Sequence, residues 1–375
     1  MAEECRPVDP VMPSLTVRDV RARPVAVTLK RPIRSRIGAL TEWPLVLIDL
    51  TTDQGIVGRS YLQPFAAHAM RYLIPALHDL GALLKGRPVA PVELYGEARR
   101  FLHFVGWEGQ SLIAASGLDM AAWDALAQAA GRPLCELLGG SAGPVRAYNS
   151  TGLWLRDPER IGPEAAELRE EGSFAAIKMR LGRPRLADDI TAVQAVRDAV
   201  GGEVSVMADF NQGLDFGEAL RRCHALDDLG LAWIEEPLVY DNVDGLARLA
   251  AQVRTPIQIG ENIYGPRELH KVLQKQACDL IMPDVMRIGG VTGWQRAAAI
   301  AGAAGVPMSS HLFPEFSAHL MRVTETADWL EWVDWANPVL RRPYTVTDGF
   351  LHIPDVPGVG LDWDEDAVAA HLADG

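Results

Sequence analysis

Six titratable residues recur at similar spacing through the second half of the chain. They are Lys178, Asp209, Glu235, Glu261, Asp284 and His311, separated by 31, 26, 26, 23 and 27 positions. Each closes a short apolar run, such as Ala175-Ala176-Ile177 before Lys178 or Ala232-Trp233-Ile234 before Glu235. Asp209, Glu235 and Glu261 together are an all-oxygen donor set without Cys or His. Such a set suits a hard divalent ion, Mg²⁺ with Mn²⁺ as the alternative, rather than zinc. Three carboxylates at one place cannot all stay ionised unless a cation offsets their repulsion. Singly, each acid reads as a helix cap or a partner of a basic neighbour; the ordered trio reads as a metal site. His311 and Asp284 close consecutive runs, and a carboxylate on one imidazole nitrogen raises the basicity of the other, as a general base requires. Lys178 and Arg180 are two apart, so they share one face of a strand and place two cations at the same mouth.

The elements needed to bring these residues together follow from the runs themselves. An apolar run with a polar end, followed by a helical stretch such as 186–200 or 216–229, is a βα unit. Repeated about eight times over roughly 250 residues it closes a barrel with its chemistry at the C-terminal ends of the strands. Upstream, Pro44 to Leu50 and Ile56-Val57-Gly58 flank Asp53-Gln54-Gly55 and predict a hairpin. Helical spacing follows over 66–84, 92–102 and 112–128, which makes an α+β unit. Gly139-Gly140-Ser141-Ala142-Gly143-Pro144 is the clearest linker.

The 375 residues carry 36 Lys+Arg against 49 Asp+Glu, a net charge of −13, which argues against a nucleic-acid or anionic-membrane partner. Cys5, Cys135, Cys223 and Cys278 lie far apart without a CxxC pair, a pattern of reducing compartments rather than of a disulfide or zinc scaffold. Residues 1–13 lack the apolar segment of a secretory signal and read as a loose leader. No uncharged apolar run is long enough to span a bilayer, and the expected location is the cytoplasm. Glu315 and His319, at four-residue intervals from His311, read as a helix beyond the strand rather than as ligands. Gly289-Gly290 and Gly358-Val359-Gly360 read as turns, and Trp329, Trp332 and Trp335 as packing residues.

Five motifs go further: Trp233-Ile234-Glu235-Glu236-Pro237, Gly260-Glu261-Asn262, Met282-Pro283-Asp284, Ile288-Gly289-Gly290-Val291-Thr292-Gly293-Trp294 and Met308-Ser309-Ser310-His311-Leu312-Phe313. Through them the chain resembles the enolase superfamily, and its mandelate racemase subgroup most closely, from about residue 20 to the C-terminus. The resemblance implies an α/β protein: an α+β capping domain on a modified TIM barrel, (β/α)7β. It divides the chain into a leader (1–15), the capping domain (16–140), the barrel (145–345) and a C-terminal segment returning to the cap (346–375). It also implies Mg²⁺ on Asp209, Glu235 and Glu261, a base dyad of His311 and Asp284, and Lys178 as the first lysine of a Lys-x-Lys motif. Glu331 takes the place of the acid that hydrogen-bonds the substrate carboxylate. Ser150 and Asn211 match polar positions around it, and Ile33, Ile37, Leu40 and Tyr61 are expected substrate contacts. A homo-oligomer, octameric by the same resemblance, and a small-molecule carboxylate substrate are expected.

The chemistry implied is abstraction of a proton α to a carboxylate through an enediolate, with Glu331 neutral through burial so that it donates a hydrogen bond. Arg180 departs from the motif, because it stands where the second lysine is the base on the face opposite histidine. Arginine is a poor proton acceptor and a good fixed cation. The nominal outcome is that of a 2-hydroxy-acid racemase or epimerase. One alternative is an acid-sugar dehydratase that eliminates water on the His311 face; another is a catalytically silent metal-binding homologue. Apolar Ile33, Ile37 and Leu40 disfavour a polyol, whereas Arg31, Arg34, Arg36, Glu42 and Trp43 beside them suit a second polar end.

Overall fold

The computed structural model describes residues 14–36 and 38–374. The chain opens with an antiparallel sheet, β1 (Val17–Ser35), β2 (Gly38–Thr52) and β3 (Val57–Leu62), in the order β1-β2-β3. Along β1, Val25, Val27 and Leu29 are buried and alternate with more exposed residues, the period-two signature of a strand with one face on the core. The expected hairpin is the β2–β3 pair, which turns through Asp53-Gln54-Gly55. Four helices follow, α1 (Met70–Leu84), α2 (Pro91–Phe101), α3 (Gly109–Ala129) and α4 (Leu134–Leu137). The long α3 is buried over most of its length and packs on β3 through Gly58, where an added Cβ would lie 2.0 Å from the Ala121 carbonyl oxygen. That close approach is open to glycine alone.

Beyond residue 143 strands and helices alternate: β4 (Pro144–Asn149), α5 (Pro158–Glu170), β5 (Ala176–Arg180), α6 (Leu186–Val200), β6 (Ser205–Asp209), α7 (Phe216–Leu226), β7 (Ile234–Glu235), α8 (Val243–Ala250), β8 (Ile257–Ile259), α9 (Gly265–Gln274) and β9 (Leu280–Ile281). Then come α10 (Val285–Ile288), α11 (Gly290–Ala304), α12 (Pro314–Met321) and β10 (Leu330–Trp332). β4 to β9 pair in parallel in sequence order. Parallel bridges carry the ladder on through Met308 and His311 to Ala327, and β10 pairs back with β4. The ladder therefore closes as a barrel of parallel strands with helices outside, the architecture expected from the repeating runs. Among the described residues no helix is long and apolar enough to cross a membrane.

The return to the cap begins later than residue 346. β11 (Val346–Thr347) and β12 (Phe350–His352) form a hairpin on β4, so this stretch still extends the barrel sheet. The chain then crosses to the cap, where the Val359 N–H donates to Asp124 (2.7 Å), the Trp363 indole to Asp49 (2.8 Å) and the Ala26 N–H to the His371 carbonyl (2.9 Å).

His319 ties these parts together. Its Nδ1 accepts the Cys135 N–H of the α4 helix at 3.2 Å, so Nε2 carries the proton toward the Tyr344 hydroxyl at 3.1 Å, which donates onward to the Val359 carbonyl at 2.8 Å. Only the neutral imidazole fits this chain, and burial pushes its pKa down to about 3. The folded state thus refuses a proton that the unfolded chain binds below about pH 6.5. Stability from this group is complete above that pH and falls by about 1.4 kcal/mol per pH unit as acidity increases toward pH 3. Between pH 6.5 and 5, urea unfolding of the wild type should lose about 2 kcal/mol more than that of His319→Gln. Equal losses in the two proteins would show that His319 is not buried neutral.

Candidate active site and metal centre

Parallel register sets the first row of the site. Arg180 lies opposite Asp209 across β5–β6, and Asp209 opposite Glu235 across β6–β7, so one level of the barrel mouth carries three charged side chains. Glu261 follows β8 by two residues and is delivered by Gly260 (φ +138°), where a Cβ would meet the Met282 backbone at 2.8 Å. Three neighbouring non-glycine residues, Asn211, Gln212 and Glu236, also have positive φ, the kind of backbone strain that collects at functional sites.

One oxygen from each of Asp209, Glu235 and Glu261 lies within 4.8 Å of the others, and all three side chains are buried. Each is oriented by its surroundings. Asp209 accepts from the Asn211 N–H (2.6 Å) and Nδ2 (2.7 Å), Glu235 from the Trp233 indole (3.0 Å), and Glu261 from Asn262 Nδ2 (3.2 Å). Burial, reinforced by the charges of Asp209 and Glu261, pushes the Glu235 carboxyl up to about 8 despite Lys178. Burial and Glu261 raise Asp209 as well, and Glu236 behind them is raised well above the usual carboxylate range. The cluster holds more carboxylates than nearby cations offset. A divalent ion on hard oxygen donors fits that deficit, and Mg²⁺ suits the set.

Opposite the acids, His311 Nδ1 is 2.7 Å from Asp284 Oδ2, while Asp284 Oδ1 accepts the Met286 and Arg287 N–H groups that start α10. One carboxylate thereby caps a helix and fixes an imidazole. Because it only accepts, Nδ1 carries the proton and Nε2 faces Glu261 Oε2 at 3.3 Å. Burial disfavours the imidazolium, but Glu261, Glu331 and Asp284 outweigh it and raise His311 to about 8. The Phe65 ring from the cap lies parallel to the imidazole, 6.4 Å between centroids, and the Arg287 guanidinium lies over the Phe65 ring, 4.5 Å from its centroid.

Lys178 bridges Glu235 (2.6 Å) and Glu331 (2.8 Å), which hold it protonated against its burial. The expected neutral Glu331 is corrected here. Burial favours its neutral form, but Lys178, His311 and Arg180 hold the carboxyl well below the usual range, so it is ionised. Arg180 is clamped: its terminal nitrogens donate to Ser150 Oγ (3.0 Å) and to the carbonyls of Ser150 (3.3 Å) and Gly152 (3.5 Å), and its guanidinium lies 4.1 Å from the Trp154 ring centroid. Among the described residues Arg180 Nε and Trp154 Nε1 are buried N–H donors without a hydrogen bond, the former 3.7 Å from Asp209 Oδ2, and both residues line the same pocket.

Lys178, Arg180, Asp209, Asn211, Glu261, His311 and Glu331 all line one cavity of about 60 Å³, roofed by Ile33 and Ser35 of β1. That volume is far below the roughly 300 Å³ at which small-molecule pockets begin, so the cavity is tight for a ligand. Ser150 and Glu235 stand behind the lining, one under Arg180 and the other under Lys178. Tyr61 and Leu40 are not on the cavity wall: Tyr61 is fully buried, donating to Glu315 (2.6 Å) and stacked on Phe313, and Leu40 packs against the core. Ile37 lies outside the described residues. Phe65 and Trp154, absent from the sequence reading, complete its walls together with Trp43, expected only beside a second polar end, and Trp335, expected only as a packing residue. They come from four separate segments with no shared period.

Residues 17–139 match the mandelate racemase / muconate lactonizing enzyme N-terminal domain, and residues 160–367 match the enolase C-terminal domain-like family. The L-talarate/galactarate dehydratase of Salmonella typhimurium is 31% identical over 88% of this chain and 82% of its own. Among solved structures, an enolase from alpha proteobacterium BAL199 with bound magnesium is 58% identical, with a TM-score of 0.95 over 96% of this chain and 100% of its own. A Bradyrhizobium enolase complexed with magnesium and mandelic acid is 42% identical, with a TM-score of 0.93 over 97% of this chain and 100% of its own.

Proposed function

The chain belongs to the mandelate racemase / muconate lactonizing enzyme family of the enolase superfamily, and from that premise we propose that His311 removes the α-proton of a 2-hydroxycarboxylate to give an enediolate. It is an enzyme of a magnesium-dependent superfamily that acts on small carboxylates. Asp209, Glu235 and Glu261 are the residues that would hold Mg²⁺, whose Lewis acidity lowers the energy of the developing negative charge. The single observation that carries the reading is the imidazole of His311, oriented by Asp284 at 2.7 Å and facing the carboxylate trio. Lys178 and the free N–H groups of Arg180 and Trp154 supply donors for the growing charge without reorganisation. Phe65, Trp43 and Trp335 exclude water and suit an apolar substituent on the substrate. Assembly into a homo-oligomer, an octamer, belongs to the same reading; the exposed apolar side chains of Phe104 (97%) and Val105 (76%) support association.

Two outcomes share this step. Racemisation or epimerisation needs a proton acceptor on the second face, and the groups placed there, Arg180 and Lys178, offer only donors. The clamp on Arg180 therefore favours the dehydratase outcome, in which the substrate is a 2,3-dihydroxy acid and His311 takes the α-proton and returns it to the β-hydroxyl, which leaves as water on the same face. Incubation with Mg²⁺ in D₂O across a library of 2-hydroxy and 2,3-dihydroxy acids tests both. Deuterium entering Cα with retained configuration, or release of a 2-keto-3-deoxy acid, is expected from the wild type. In Arg180→Lys, which restores a titratable amine, inverted product should rise at least tenfold. Equal deuteration of both enantiomers by the wild type would overturn the one-face assignment, and absence of any exchange would overturn the function.

A further inference from the structure

A chain of net charge −13 gathers five arginines around one cavity beside the site. The cavity, about 740 Å³, lies between the end of β1, the β4–α5 loop and the β5–α6 loop, and Arg34, Arg36, Arg156, Arg160 and Arg183 face it with Asp157 and Asp188. Asp188 is engaged by Arg185, which is not on the wall (2.5 and 3.0 Å). Arg183 is engaged by Asp189 and the Arg156 carbonyl, and Arg36 by the Gly213 carbonyl. The guanidinium groups of Arg34, Arg156 and Arg160 have neither an ion pair nor a hydrogen bond among the described residues. The wall's two acids, Asp157 and Asp188, do not balance its five arginines, and guanidinium is the side chain best matched to the carboxylate or phosphate that would offset the excess.

This basin adjoins the catalytic cavity. Ser35 lines both, and the strand end that presents Arg180 to the site continues through Gly182 to Arg183 in the basin. The site cavity combines apolar walls, Ile33, Trp154 and Trp335, with the polar side chains of Arg180, Asp209 and Asn211. We propose that the basin receives a second anionic group at the far end of the substrate, so that the substrate is a 2-hydroxy acid with a terminal carboxylate or phosphate. The proposal rests on the α-proton chemistry above and adds to it the substrate's charge and length.

The test uses the Mg²⁺-loaded chain in the His311→Asn form, which holds acids without turning them over, at constant ionic strength. Calorimetry compares 2-hydroxy monoacids of five to eight carbons with the 2-hydroxy diacids and ω-phosphate esters of matching length. At one length or more, the dianion should bind at least tenfold more tightly than its monoacid. Adding Arg156→Gln and Arg160→Gln should erase that gap while monoacid affinity stays within threefold. A better diacid identifies a carboxylate terminus and a better phosphate ester a phosphate terminus; either supports the basin. No gap at any length, or a gap that survives the arginine substitutions, overturns it. The monoacids separate this from the underlying reading: if they bind, and exchange deuterium in the wild type, but dianions gain nothing, only the basin falls. If no acid of any kind binds, both fall.

Discussion

Substituting His311 with asparagine is expected to lower α-proton exchange by about a thousandfold, with Mg²⁺ affinity changed less than threefold. Nε2 of His311 faces the cavity while Nδ1 is taken by Asp284, so the ring presents one acceptor to a substrate carbon. General acid–base groups contribute roughly 10²–10⁴-fold, and here the other cavity-facing cations, Lys178 and Arg180, only donate. Asparagine keeps a polar group toward Asp284 and so preserves the cap that Asp284 makes on α10, but it has no basic nitrogen. Deuterium incorporation followed by NMR, beside calorimetric titration of Mg²⁺, separates base loss from collapse of the site. Exchange at wild-type rates in a folded His311→Asn protein would remove His311 from the mechanism. Asp284→Asn is a weaker version of the same experiment, because its oxygen still caps the helix while the imidazole loses its charged partner.

The barrel and the acid–base groups were legible because barrel strands this short leave their polar ends at fixed intervals. Even β7 and β9, two residues each, are bracketed by that rhythm. The cap was legible in its hairpin and helices but not in β1, whose Pro24 and Pro32 interrupt an otherwise alternating pattern. A strand carrying prolines belongs at an edge, and β1 is the edge of the three-stranded sheet, partly covered by His371 to Ala373 of the C-terminal segment. The charge of Glu331 could not be read at all: burial alone argues for a neutral acid, and Lys178 at 2.8 Å, with His311 and Arg180, holds the carboxyl well below the usual range. Tyr61 was misplaced for a related reason. It sits on β3 near the mouth, yet its hydroxyl is drawn to Glu315 beneath the wall. The arginine basin is assembled from residues 34–36, 156–160 and 183, which share no spacing and meet only once the β-α loops are folded.

The second large effect concerns Glu235. Glutamine at this position keeps the length and the Trp233 hydrogen bond but removes one of three charges from the oxygen set. Mg²⁺ affinity should fall at least a hundredfold, because a hard dication depends on ligand charge. Stability responds differently with and without the ion. In the metal-free chain Glu235 is a buried carboxyl pushed up to about 8, and Lys178 retains Glu331 after the substitution. The metal-free variant should therefore unfold no more easily than the wild type. With Mg²⁺ at a hundred times the wild-type Kd, linkage gives the wild type about 2.7 kcal/mol of added stability. The variant, its Kd a hundredfold higher, should gain only about 0.4 kcal/mol at the same concentration. Thermal unfolding over a Mg²⁺ series reads both quantities without any substrate. A variant that keeps the full magnesium-dependent shift would place the ion away from Glu235, and one that already unfolds early without magnesium would make the carboxylate a structural partner of Lys178 instead.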